Sequence, residues 1–159
     1  MRVNGSKGVK PIECINPPLN RWAVRWDFQP DENDTLNYEE RVFDYKPSID
    51  EIKAMIEGWI NTVTEETIMS GYTWKDAPVW LSPENQLNYK NAYDLATQTD
   101  GETLPVQIKM GTWEDPVYYT FEDPDELAEF FTGYVRHIQD TLAEGWKQKD
   151  QLDLTPYEV

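Results

Sequence analysis

One cysteine and one histidine in 159 residues leave little room for several kinds of chemistry. Cys14 alone cannot form an internal disulfide or a cysteine metal cluster, and a single thiol fits a protein made in a reducing compartment. His137 alone excludes a histidine metal cage and a two-histidine relay. Basic residues are scarce as well. Fourteen Lys and Arg stand against 30 Asp and Glu, a net charge of −16. General attraction to a phosphate backbone is therefore not available, and no nucleic-acid partner is expected. No apolar run approaches the length that crosses a bilayer, so no membrane partner is expected either. The opening MRVNGSKGVKPIE lacks the apolar core and cleavage-type site of a signal peptide, and the expectation is a soluble, non-exported protein.

What is abundant is aromatic. Rings make up 13% of the chain, including seven Trp and nine Tyr. That density marks a folded protein, since disordered chains are poor in aromatics. It also suits surfaces that grip partners, because a ring buries much area for little lost entropy. Charge is unevenly spread. Residues 1–29 hold Arg2, Lys7, Lys10, Arg21 and Arg25 against Glu13 and Asp27, whereas the remainder holds 9 basic and 28 acidic residues. A basic start on an acidic body offers head-to-body docking between copies, hence a homo-oligomer. A solvated acidic surface is the simpler reading.

Along the chain, Gly5, Gly8, Pro11, Pro17 and Pro18 punctuate residues 1–20, which read as an arm with at most a short edge strand. Arg21 to Phe28 alternates, with Trp22, Val24, Trp26 and Phe28 on one side and Arg21, Ala23, Arg25 and Asp27 on the other, as in a half-buried strand. A polar loop follows, then a returning strand from Tyr38 to Tyr45. Ser48-Ile49-Asp50-Glu51 is a capping box, and Ile49, Ile52, Ile56, Trp59, Ile60 and Val63 predict an amphipathic helix over 49–69. Tyr72 and Trp74 face Val79 and Trp80 across a turn at Lys75-Asp76-Ala77-Pro78. Ser82-Pro83-Glu84 opens a helix to about Gln98. Leu104 to Met110 and Val117 to Phe121 alternate as a second hairpin. Asp123-Pro124-Asp125-Glu126 starts a helix reaching Lys149, with Lys147 and Lys149 complementing its dipole. The predicted class is α+β: antiparallel hairpins packed with three helices, the C-terminal one longest. The expected division is an arm and hairpin over 1–47 and an α+β domain over 48–159.

No catalytic or metal motif survives inspection. Ser6, Ser48, Ser70 and Ser82 lack a nucleophile-elbow context. Cys14 with His137 has no supporting local signature. Asp31-Glu32-Asn33-Asp34-Thr35-Leu36 begins like a calcium loop, but Leu36 stands where glycine is needed and Val42 where the bidentate acid is needed. Gly5 and Gly8 have no phosphate-loop continuation. A glycosidase would need two acids across a cleft, and Trp74, Trp80 and Trp113 would have to line it. The expectation is a non-enzymatic protein with no catalytic residues, cofactor or metal.

From residue 59 to 154 the order of features forms a pattern. Gly71-Tyr72-Thr73-Trp74-Lys75-Asp76 follows an amphipathic helix; Trp80-Leu81-Ser82 and Gln86-x-Asn88-Tyr89 come next. After the second hairpin, Asp123-Pro124-Asp125-Glu126-Leu127 caps a long helix with Tyr134, Val135 and His137 midway and Glu144-Gly145-Trp146-Lys147-Gln148-Lys149 at its end. This order resembles a domain family of unsettled activity found in the tail modules of tailed bacteriophages, some of whose members are described as tail-fibre assembly proteins. Here the second hairpin is longer and more polar, from Thr112 to Pro116, and the N-terminal strand pair lies outside the shared pattern. The resemblance implies a chaperone-like assembly protein that binds a phage tail or tail-fibre protein in the host cytoplasm. A small structural protein retained in the virion tail is the alternative, and an acidic DNA mimic acting on host proteins ranks below both. Tyr72, Trp74, Trp80 and Trp113 are the expected partner contacts.

Overall fold

The computed structural model describes residues 1–5, 8–30 and 35–159. Ser6, Lys7 and the calcium-loop positions 31–34 lie outside the described residues. The fold is α+β, with antiparallel sheets and, among the described residues, three α-helices, the C-terminal one longest. The chain divides into two compact units, Met1–Trp59 with Gln151–Val159, and Ile60–Asp150. The division anticipated between residues 47 and 48 instead marks the passage from sheet to helix.

Among its described residues the first unit holds four strands, β1 (Arg2–Gly5), β2 (Ile12–Asn16), β3 (Arg21–Pro30) and β4 (Leu36–Phe43), in the order β1-β4-β3-β2. The expected N-terminal arm is thus corrected to two strands, one at each edge of this sheet. Glycine and proline do punctuate them, but they fall at the strand ends, where pairing is not interrupted. β3 is central and differs from the half-buried strand expected. Ala23, Val24, Arg25 and Trp26 are all buried, and Asp27, at φ 51, begins a bulge that ends the alternation before Phe28. Phe28 is accordingly exposed.

Arg25, only 7% exposed, lies on the side of β3 that alternation assigned to solvent. Its guanidinium donates to Glu40 at 2.6 Å, to Glu13 at 3.0 Å and to the Lys10 carbonyl at 3.1 Å. Burial works to lower its pKa, but the bonds to Glu40 and Glu13 outweigh that and raise it. A buried charge is tolerated where its hydrogen-bonding capacity is met in this way. The C-terminal segment closes over the same residue: Tyr157 is buried, and its hydroxyl donates to the Arg25 carbonyl at 2.8 Å.

Helix α1 (Ile49–Ser70) begins at the expected capping box, where the Ser48 N–H donates to Glu51 at 2.8 Å and the Glu51 N–H returns to the Ser48 hydroxyl at 3.2 Å. The Ser48 amide first, and the Tyr45 hydroxyl next, hold the Glu51 carboxyl below its ordinary range. Trp59 meets Trp26 edge-on, 6.2 Å between centroids. Ile52, Ile56 and Ile60 are buried as the spacing predicts, whereas Val63 is exposed.

In the second unit, β5 (Tyr72–Trp74) and β6 (Ala77–Val79) form a tight hairpin, and β7 (Val106–Gly111) and β8 (Pro116–Phe121) a longer one. Helices α2 (Pro83–Gln98) and α3 (Pro124–Asp150) complete it. Ser82 caps α2 by accepting from the Asn85 N–H at 3.2 Å, and Asp123 accepts from Asp125 at 2.9 Å at the start of α3. The core mixes aliphatic residues such as Leu81, Ile108 and Leu127 with the rings of Tyr89, Phe121 and Tyr134, and Phe130 within it is fully buried.

The burial of Tyr157 yields a prediction. Burial pushes its phenol up to about 12 from 10.0. The folded pKa lies above the unfolded one, so this group's contribution is complete below pH 10 and is lost as pH rises toward 12. Tyr157→Phe should lower stability by about 1 kcal/mol at neutral pH and make the alkaline fall shallower. Denaturant unfolding across that pH range checks both. An unchanged midpoint with an unchanged alkaline slope would contradict the placement.

Candidate partner-binding site

The four aromatic residues singled out in the sequence divide into two pairs. Tyr72 and Trp74 lie two apart on β5, so they share one side of the strand. That side turns into the core. The Tyr72 ring sits 6.1 Å from Phe130 and its hydroxyl donates to the Phe130 carbonyl at 3.4 Å; burial raises its pKa. Gly133 makes room for it, since a Cβ there would come within 2.3 Å of the Tyr72 hydroxyl. Trp74 packs against Phe130 at 5.5 Å, Phe121 at 5.8 Å and Tyr119 at 6.2 Å. Its indole N–H is buried and has no hydrogen-bond acceptor among the described residues.

The turn before Trp80 is tighter than expected. Lys75 and Asp76 alone form it, with φ of 45° and 67°, the left-handed pair that a two-residue hairpin turn requires. Ala77 and Pro78 therefore belong to β6, opposite Trp74 and Thr73, and Tyr72 pairs with Val79. Trp80 faces neither β5 ring. Val79 and Leu81 on either side of it are fully buried, and Trp80 between them is turned out, 52% exposed. Asn85 holds the backbone there by donating to the Trp80 carbonyl at 2.9 Å. The β5–β6 turn is tied to the rest of the unit by Lys75, which binds Glu126 on α3 and the Tyr119 hydroxyl on β8. Lys75 first, and Tyr119 next, lower the Glu126 carboxyl's pKa.

Trp113 stands at the tip of the second hairpin and is 93% exposed. The turn beneath it is well defined. Thr112 donates its N–H to the Asp115 carbonyl at 3.1 Å, and Asp115 donates back to the Thr112 hydroxyl at 3.0 Å. Gly111, at φ 84°, is required, because a Cβ there would lie 2.3 Å from the Asp115 carbonyl oxygen. Lys109 on β7 places its ammonium 6.0 Å from the Trp113 ring centroid and 5.9 Å from that of Tyr118, an attraction that steadies exposed rings. Trp80, Asn85, Lys109 and Trp113 line one groove of about 280 Å³. The fold thus brings Trp80 and Trp113 together and takes Tyr72 and Trp74 away. Lys109 is the member that sequence reasoning missed; its place opposite Tyr118 in the strand register was the available signal.

The remaining candidates have structural surroundings. His137 on α3 has its Nε2 3.0 Å from the Thr67 carbonyl and its ring 5.8 Å from Tyr72. Cys14 lies on β2 of the first unit. Among the described residues, no three His, Cys, Asp or Glu side chains gather as a metal-holding group, and no helix is long and apolar enough to cross a membrane.

Two substitutions separate the pairs. Trp74→Ala removes a packed ring and should lower stability by about 3–5 kcal/mol. Trp113→Ala should change it by no more than about 0.5 kcal/mol. Denaturant midpoints measure both, and equal losses would refute the division into core and surface rings.

Compared with known proteins, the chain matches no family model, no curated protein and no solved structure.

Proposed function

We propose that this chain is a non-enzymatic assembly protein of a phage tail module, binding a tail or tail-fibre protein through the groove between Trp80 and Trp113. The observation that carries the reading is Trp113 itself, a tryptophan left 93% exposed on a rigid turn with Lys109 against its ring. Folding gains little from a ring in that position. Partner binding gains much, because tryptophan anchors are the residues on which interface energy concentrates. The tail setting comes from the resemblance over residues 59–154. A net charge of −16 suits such a protein by keeping it and a client in solution.

Two experiments test the proposal. Trp80→Ala and Trp113→Ala should each weaken capture of the tail-fibre protein about tenfold or more, with far-ultraviolet circular dichroism unchanged; capture at full strength would refute the groove. Quantitative mass spectrometry of purified virions should find the chain abundant in infected cells and missing from particles. Stoichiometric copies in the virion would replace the assembly role with a structural one.

A further inference from the structure

Strand edges are pairing templates unless something blunts them, and most edges in this chain are blunted. β1 is four residues long and begins with Arg2. β2 carries Glu13 and a bulge between Cys14 and Asn16. β5 is three residues long. β8 is different. Beyond Pro116 at its start it reads Val-Tyr-Tyr-Thr-Phe, with no charge, and its register with β7 is unbroken from Gly111–Pro116 to Val106–Phe121. β7 occupies one side of it, and no strand among the described residues pairs with the other. Val117 and Tyr118 are exposed, Tyr118 at 57%.

The surroundings of this edge specify an occupant. Glu114 and Asp115 precede β8, and Glu122 and Asp123 follow it. Asp123 caps α3, while Glu114, Asp115 and Glu122 have no ion-pair partner among the described residues. A second copy pairing along β8 would set acids against acids at both ends, whether the strands ran parallel or antiparallel, and like charges facing one another across strands are destabilising. Residues 60–150 as a whole hold 6 basic and 17 acidic residues, so the wider field has the same sign. Lys109, opposite Tyr118, supplies one positive charge at the middle of the hairpin. A fitting strand therefore carries its cations at its ends and not at its centre.

We propose that β8 is a docking edge for an extended segment of a partner protein, with β-branched or aromatic residues in its middle and Lys or Arg at both ends. The segment adds as a further strand: its main chain supplies hydrogen bonds, and its terminal cations supply selectivity. The proposal concerns β8 alone and holds whether or not the partner belongs to a phage tail, so its test is independent of virion composition and fibre capture.

The test uses the full chain and two synthetic peptides that share an alternating threonine–valine centre, one ended by lysine pairs and the other by glutamate pairs. The lysine-ended peptide should bind about tenfold tighter or more at low salt and lose that advantage as salt is raised. It should also slow amide hydrogen exchange at residues 117–120. The exposed-site variant E114Q/D115N/E122Q should bring the two affinities within about twofold of each other. Equal affinities for the wild-type chain, protection that falls elsewhere, or no binding of the lysine-ended peptide at millimolar concentration would each overturn the proposal. So would a homodimer whose protected amides are those of β8.

Discussion

Burial of Phe130 is the constraint on which the larger unit depends. Its ring is inaccessible to solvent and is met by Tyr72 and Trp74 from β5, Tyr89 from α2, Phe121 from β8 and Tyr134 one turn along α3. The centroid distances run from 5.2 Å to Phe121 to 6.1 Å to Tyr72, mostly with tilted or edge-on rings, the arrangement that aromatic quadrupoles favour. Two hairpins of three and six residues per strand are too small to be stable alone. They hold their shape because each contributes a ring to this cluster, and the strand ends beyond the cluster inherit that rigidity.

That inheritance produces the surface. With Val79 and Leu81 committed inward, Trp80 must point out; with Ile108, Met110 and Phe121 committed inward, Lys109 and Tyr118 must lie on the other side of the second hairpin. The exposed rings and the open edge of β8 are thus set by the same packing that hides Tyr72 and Trp74. A surface held in this way loses little freedom when a partner arrives, which is the condition for a good binding site.

Much of this order was legible in the sequence, and for local reasons. The capping residues Ser48, Ser82 and Asp123 announce the three helix starts, and α2 begins and ends where the pattern places it. The alternation of Val106, Ile108 and Met110 fixes β7. What was not legible depends on neighbours distant in sequence. β1 and β2 are short and interrupted by glycine and proline, and only pairing with β4 and β3 makes them strands. Arg25 looks like a solvent-facing residue until Glu13, Glu40 and Tyr157 are seen around it. In the candidate site, the composition of the β5–β6 turn suggested four residues, whereas two left-handed residues suffice, and that two-residue difference decides which rings face one another. The exposure of Trp113 was legible from the polar turn that holds it; its association with Trp80 was not, because Trp80 follows β6 and Trp113 belongs to the β7–β8 hairpin.

Oxidative footprinting of the seven tryptophans, read by mass spectrometry with and without the proposed tail-fibre partner, tests the division of the aromatic residues most directly. The account predicts that Trp113 and Trp80 react fast in the free chain and are protected by the partner, while Trp74 reacts slowly in both states. Trp74 reacting as fast as Trp113, or protection that spares both Trp80 and Trp113, would contradict it.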